Sequence, residues 1–246
     1  MEVHQIAPGL WRWTAPHPDW QPAFDHPGGW GQMVGCVYFE APDGIVLIDP
    51  LVPPAGTPDH DRFWQHLDRD IERVGQPLTI LLGLEGHERS AQTVYDRYIA
   101  SMPVSIWAHE TARALVRCRV TDRFGSRLLP SGITAIEIGM PYPSEVSFYL
   151  PAHRTLVCAD CIVGDGRLRL AGPPAEPAAR ARYQTAFRPT LRRLLDLPID
   201  TVLPSHGAPV LQHGHAAIEE ALAAPAWGED ETSWRYQSTE TANAEE

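Results

Sequence analysis

Histidine and carboxylate side chains follow short apolar segments at three places in the chain. His87 and Glu88 come soon after the first of these segments. Asp160 ends the second, and His206 follows the third, directly before a glycine. Imidazole and carboxylate are suitable ligands for zinc and iron. The alternative is structural: His206 would hydrogen-bond the loop backbone and Asp160 would cap the turn after its strand.

Arg89 lies beside these groups, just before an expected helix. A guanidinium binds a carboxylate or phosphate through two parallel hydrogen bonds, so Arg89 is a candidate for contacting an anionic ligand. The alternative is an ion pair inside the protein. We favour the ion pair, and its expected partner is one of three nearby carboxylates, Glu88, Asp160 or Glu85.

The lysine and cysteine content limits the nucleophilic chemistry. All 20 basic residues are arginine, which excludes Schiff-base and lysine-base mechanisms. Cys158 and Cys161 form a single CxxC pair, and one such pair is weak evidence for a metal or redox site. In an extended strand the two sulfurs would point to opposite faces, so we predict buried thiols.

The segment 15–31 is a long loop rich in proline, glycine and aromatic residues. It contains Trp20, Phe24 and Trp30 together with His17 and His26. One interpretation is an apolar flap that closes over a hydrophobic ligand. The other is a loop whose aromatic rings pack on the edge of a sheet. The two histidines are further candidates for metal ligands.

The hydrophobic periodicity predicts the elements that must position these residues. Strands are expected at 9–14, 31–42, 45–50, 78–82, 104–107, 133–138, 146–150, 155–158 and 200–203. Helices are expected at 61–74, 90–99, 110–118, 178–196 and 215–223. Pro189 is expected to kink or split the fourth helix.

Length and composition indicate one globular domain over 1–227, followed by a polar, acidic tail at 228–246 that we expect to fray. The net charge of −11 argues against nucleic-acid and anionic-membrane partners. The sequence has no apolar run of about 20 residues and no secretory signal at its N-terminus. We therefore expect a cytoplasmic protein with a small-molecule ligand.

Four landmarks, in this order, resemble the metallo-β-lactamase superfamily. They are the hairpin strand IVLIDP at 45–50, LTILLGLEGHERSA at 78–91, TLVCAD at 155–160 and TVLPSHG at 201–207. The resemblance covers roughly residues 5–225. It implies a mixed α/β fold, the αββα sandwich, with the active site at the open edge between the two sheets.

The family's metal-binding motif is largely missing. Alignment places Leu84, Gly86 and Arg89 where the resemblance implies histidine ligands, and Pro141 where it implies a further one. Of the implied ligands, Asp160 and His206 remain, and His87 lies nearby. A dinuclear site is therefore not expected. A single zinc or iron ion held by His87, Asp160 and His206 stays possible, as does a site with no metal.

Two functional hypotheses follow from the resemblance. The first is a divergent hydrolase for a small ester, thioester or lactone, with Asp160 at the catalytic centre and Glu88 as general base. The second is a non-catalytic or metal-independent member that binds a small anion through Arg89. In both, Trp20, Phe24 and Trp30 would contact the ligand.

Overall fold

A computed structural model describes residues 1–25, 29–125, 127–164, 166–172 and 177–226. The predicted tail at 228–246 and the candidate ligand His26 lie outside the described residues.

The first sheet follows the order of the chain. Its strands are β1 (Glu2–Ala7), β2 (Leu10–Pro16), β3 (Met33–Ala41), β4 (Gly44–Ile48), β5 (Leu78–Leu81), β6 (Val104–Ala108) and β7 (Asp122–Arg123). Strands β1 to β4 pair antiparallel; tight turns connect β1 to β2 and β3 to β4, and the long loop at 17–32 connects β2 to β3. From β4 onward the pairing is parallel, so the carboxyl ends of β4, β5 and β6 lie at one edge of the sheet.

The strands of the second sheet are β8 (Thr134–Glu137), β9 (Val146–Leu150), β10 (Thr155–Cys158) and β13 (Thr201–Pro204). Their order in the sheet is β13-β10-β9-β8. Strands β10 and β13 are parallel, and the other pairs are antiparallel. A separate two-stranded hairpin, β11 (Ile162–Gly164) and β12 (Leu168–Leu170), follows β10.

The sheets pack face to face, and helices cover their outer sides. Between the sheets lie Val46, Ile48 and Leu81 from the first and Phe148 and Val157 from the second. Helices α1 (Pro58–Val74) and α2 (Ala91–Tyr98) bury their apolar sides on the first sheet. Helices α5 (Arg188–Arg192) and α6 (Gly214–Ala223) cover the second. This is the αββα sandwich that the resemblance implied.

Most predicted elements are present, with some changes of extent. The helix expected at 110–118 is shorter, and α3 covers Glu110–Arg113. The fourth expected helix is helical throughout: α4 (Pro177–Arg182), a π-helix (Tyr183–Phe187), α5 and a 3-10 turn (Arg193–Asp196). Pro189 does not break it, since it stands in the first turn of α5. Strands β1, β7, β11 and β12 were not predicted.

Among the described residues, no helix is both long enough and apolar enough to cross a bilayer.

Candidate metal centre

The candidate site lies where parallel strands of both sheets end. A 3-10 turn at Glu85–His87 follows β5 and carries His87. Asp160 and His206 each stand two residues after a strand, β10 and β13 respectively. Because β10 and β13 are parallel neighbours, their carboxyl ends coincide. The fold therefore brings together three side chains that are up to 119 residues apart, from 87 to 206.

His87, Asp160 and His206 converge on one point. Their potential ligand atoms all lie within 4.8 Å of one another. Asp160 Oδ1 is 3.4 Å from His87 Nε2 and 3.2 Å from His206 Nε2. Neither contact has the alignment of a hydrogen bond, and the buried Oδ1 has no hydrogen-bond partner among the described residues. Two imidazoles thus face one carboxylate oxygen that nothing else satisfies.

These contacts fit a bound metal ion. With metal–ligand bonds of about 2.0–2.1 Å, two ligands of a tetrahedral zinc ion are about 3.3 Å apart. The two measured separations, 3.2 and 3.4 Å, lie on either side of that value. Two histidines and one carboxylate are also a ligand set that suits both zinc and iron(II).

Asp49, at the end of the strand β4, holds His87 in place. Its Oδ2 accepts a hydrogen bond from His87 Nδ1 at 2.8 Å, and its Oδ1 accepts one from Gly83 N at 2.7 Å. Both His87 and Asp49 are buried. Since a carboxylate can only accept, Nδ1 carries a proton, and in the neutral imidazole the lone pair is therefore on Nε2, the atom that faces the site. Carboxylates commonly orient metal-binding histidines in this way.

The two histidines stabilise the ionised form of Asp160. Burial alone would raise its pKa, but His87 and His206 beside it hold the pKa of Asp160 well below its usual range. The same contact has the opposite effect on His87: burial and Arg89 oppose its charge, yet Asp49 and Asp160 raise the pKa of His87. Without a metal, Asp160 is therefore an anion, and its charge favours the protonated form of the neighbouring His87.

Behind Asp160, Glu145 fixes the backbone of the turn. Its Oε1 accepts hydrogen bonds from Asp160 N and Cys161 N, both at 2.8 Å. Glu145 is completely buried, and burial raises the pKa of its carboxyl well above the usual range. This role of Glu145 could not be predicted from the sequence, because it depends on the packing of the start of β9 against the end of β10.

Arg89 points inward, and its bonds differ from the expected ion pair. Its NH1 donates to the carbonyls of Gly35 at 3.2 Å and Asp49 at 3.0 Å, and its NH2 donates to Ser205 Oγ at 2.7 Å. No carboxylate among the described residues lies within ion-pair distance of Arg89. The predicted ion pair with Glu88, Asp160 or Glu85 is therefore wrong. Arg89 instead connects three segments around the site through its hydrogen bonds to Gly35, Asp49 and Ser205. Its backbone has a positive φ of 33°.

Glu88 is turned away from the cluster. Its carboxylate accepts hydrogen bonds from Arg117 N at 2.6 Å and Cys118 N at 2.9 Å, and it pairs with the Arg117 side chain. It does not line the cavity described below. The structure thus gives Glu88 a role in holding the loop after α3, and we do not retain it as a general base.

A cavity of about 320 Å³ opens beside the three candidate ligands. Its apolar wall is formed by Trp30, Leu84, Pro141, Val163 and Ala171, and its polar wall by His17, Glu85, Arg89 and Tyr142 together with the three ligands. Leu84, Gly86 and Pro141 stand at this cavity, where the resemblance had implied ligands.

The aromatic loop contributes to the cavity through Trp30. The Trp30 ring lies edge-on to His206, with the ring centroids 5.3 Å apart. Phe24 stacks on Trp30 at 5.5 Å, and Trp20 Nε1 donates to the Trp30 carbonyl at 2.9 Å. Of the three predicted substrate-binding aromatic residues, only Trp30 lines the cavity. Trp20 and Phe24 contact Trp30 instead.

All four cysteines are free and buried, as predicted for the CxxC pair. The expectation that Cys158 and Cys161 point to opposite faces was wrong, because both lie in the same apolar cluster under α5 and α6. The reason is that β10 ends at Cys158 and the chain then turns, so the alternation of a strand no longer applies.

Comparison of the structure with solved structures identifies the fold. A metallo-β-lactamase from Pontibacter korlensis superimposes with a TM-score of 0.63 at 16% identity, covering 90% of this chain and 98% of that one. The DIM-1 metallo-β-lactamase matches with a TM-score of 0.58 at 14% identity, over 89% and 97% of the two chains. The Flv1 flavodiiron core from Synechocystis sp. PCC6803 gives 0.61 at 17% identity, over 90% and 60%. This chain therefore has the metallo-β-lactamase fold.

The sequence itself matches no protein-family model and no curated protein.

Proposed function

We propose that this chain is a hydrolase for a small, largely apolar ester, thioester or lactone, and that it uses one zinc or iron ion held by His87, Asp160 and His206. The observation that carries the proposal is the convergence of His87 and His206 on a buried, unsatisfied carboxylate oxygen of Asp160. Three protein ligands plus one open position is the usual arrangement of a catalytic zinc.

The residues around the three candidate ligands hold them in an orientation that suits a metal ion. Asp49 keeps the proton of His87 on Nδ1, away from the site. Glu145 holds the backbone from which Asp160 projects. A bound divalent ion would polarise a carbonyl group and provide hydroxide near neutral pH. The apolar side chains of the cavity would exclude other water from that reaction.

The size and lining of the cavity support a small, apolar substrate. Its volume of about 320 Å³ is at the lower end of the range for small-molecule sites. Trp30, Leu84 and Val163 offer apolar contacts, and the opening lies next to the candidate ligands. The substrate would thus place its carbonyl at the metal and an apolar group against this wall.

The anion-binding alternative has less support. Three of the donated hydrogen bonds of Arg89 go to Gly35, Asp49 and Ser205 of the protein itself. A guanidinium that already donates to these three acceptors is held by the protein itself and has fewer N–H groups left for two-point binding of a carboxylate or phosphate. We therefore do not propose Arg89 as an anion receptor.

Metal content and hydrolysis test the two parts of the proposal separately. The protein purified without chelator should contain close to one equivalent of zinc or iron. Adding zinc to chelated protein at about 100 times Kd should stabilise the fold by about 2.7 kcal/mol, or roughly 5–10 °C in Tm. His206→Ala and Asp160→Asn should lose this response. His4→Ala, a change at an exposed histidine of β1, is the matched control.

Hydrolysis is then measured on a panel of p-nitrophenyl esters, acyl thioesters and lactones. We expect turnover that chelation abolishes and metal restores. A protein that takes up no metal and shows no change in Tm would refute the metal centre. A metal-loaded protein that hydrolyses no member of the panel would refute the hydrolase assignment while leaving the metal centre intact.

A further inference from the structure

His17 is a polar group of the cavity that the three-ligand cluster does not use. It begins the aromatic loop directly after β2 and lines the same cavity as His87, Asp160 and His206. Its side chain lies outside the group of ligand atoms that converge within 4.8 Å. A cube of the volume of this cavity, about 320 Å³, has an edge of roughly 7 Å. A molecule that fills it therefore reaches both His17 and the cluster.

The hydrogen bonds of His17 determine its tautomer. Its Nδ1 accepts a hydrogen bond from Asp19 N at 3.2 Å. A neutral imidazole has one donor nitrogen and one acceptor nitrogen, so the proton lies on Nε2. Among the described residues, Nε2 has no hydrogen-bond partner. This tautomer lacks the Nε2 lone pair that a metal ligand needs, which argues against the candidate role of His17 as a ligand.

The ring of His17 is also held in position. It contacts the Trp30 ring edge-on at 5.1 Å, and Trp30 in turn contacts His206. The backbone is fixed as well, since His17 N donates to Gln32 O at 2.8 Å. Burial and the nearby charge of Arg89 lower the pKa of His17, which favours the neutral imidazole.

We propose that His17 is a catalytic residue whose Nε2–H donates a hydrogen bond to the carbonyl oxygen of the bound substrate. This inference rests on the proposed hydrolase function. As the carbonyl is attacked, its oxygen gains negative charge, and a fixed donor at that position stabilises the transition state more than the ground state. A neutral imidazole can fill this role without repelling a nearby metal ion.

Two substitutions separate donation from packing. His17→Phe keeps an aromatic ring against Trp30 and removes the donor. His17→Gln removes the ring and can place an N–H close to the position of Nε2. For a p-nitrophenyl ester, we expect His17→Phe to lower kcat about 100-fold with little change in KM, and His17→Gln to recover a large part of that loss. His4→Phe, the same change at an exposed site, should behave like the wild type.

Two further readouts, the zinc affinity and the ¹⁵N spectrum of His17, do not depend on turnover. Zinc affinity should be equal in the wild type and both variants. The ¹⁵N spectrum of the resting protein should show His17 with an unprotonated Nδ1 and a protonated Nε2. A proton on Nδ1, or zinc affinity that falls tenfold in His17→Phe, would overturn the proposal, as would an unchanged kcat or an effect on KM alone. A wild type that is inactive on all esters would instead defeat the hydrolase function on which this contact rests.

Discussion

Asp49→Asn tests whether the interaction of Asp49 with His87 prepares the metal site. The two side chains have nearly equal volume, and asparagine tolerates the positive φ of 50° at this position. The carboxylate accepts from Gly83 N and from His87 Nδ1, and both of these bonds are short and buried. An amide has one acceptor oxygen, so one of the two N–H groups must then face the NH₂ group.

The expected loss follows from that mismatch. If the amide oxygen stays with Gly83, the NH₂ group favours a His87 tautomer with its proton on Nε2, the atom that faces Asp160. Loss of such a supporting carboxylate weakens metal binding by about 10- to 100-fold. The lost charge-assisted hydrogen bond should also lower the free energy of unfolding by about 1.5–3 kcal/mol. In a chain of this length, that is a drop in Tm of roughly 3–12 °C.

The assay is zinc titration by competition with a chromophoric chelator, with thermal unfolding of the metal-free protein alongside. Asp61→Asn is the control, because that carboxylate is 87% exposed on α1. A zinc affinity of Asp49→Asn within twofold of the wild type would refute the reasoning. It would mean that His87 reaches its orientation without Asp49, or that His87 is not a ligand.

Two further outcomes concern the stability of the fold. Arg89→Lys keeps the charge but cannot reach three acceptors on three segments, so it should lower the free energy of unfolding by about 2–3 kcal/mol; a loss under 0.5 kcal/mol in urea unfolding would show that these bonds contribute little. The hydrogen bond from Arg97 lowers the pKa of Asp68. Because the folded pKa lies below the unfolded value of about 3.9, the stabilisation is complete above that pH and is lost as pH falls through the folded pKa. The stability advantage of the wild type over Asp68→Asn should therefore be present at pH 6 and shrink below pH 4, and an advantage that grows in acid would contradict this assignment.

The order of most elements was predictable because the buried strands leave a local signal in the sequence. The strand at 155–158 and the strand at 146–150 were predicted with the bounds that the structure has. Both are buried on two sides, so most of their residues are apolar and only Ser147 and Thr155 are polar. Strand β1 has no such signal, since four of its six residues are exposed. Strand β7 has two residues and is too short to show any periodicity.

The candidate ligands were only partly readable from the sequence. Asp160 and His206 were identified because each follows an apolar strand and matches a landmark of the resemblance. The orienting role of Asp49 was missed, although Asp49 lies within the landmark IVLIDP. Its partner is 38 residues away, and the two meet because β4 and β5 are parallel neighbours. A polar residue that ends a buried strand beside the predicted site would have been a usable signal.

By itself, the sequence determined the apolar faces and the order of most strands and helices, and the chemical types at the strand ends. Local periodicity reports these properties, because it reflects which face of each element leaves water. Only the tertiary structure decided the partners of the polar groups. Neighbouring residues illustrate this: His87 faces Asp49, Glu88 caps a distant loop, and Arg89 binds backbone carbonyls. The backbone dihedral angles of a tight turn and the order of strands in the sheet set these directions, and neither leaves a periodic trace in the chain.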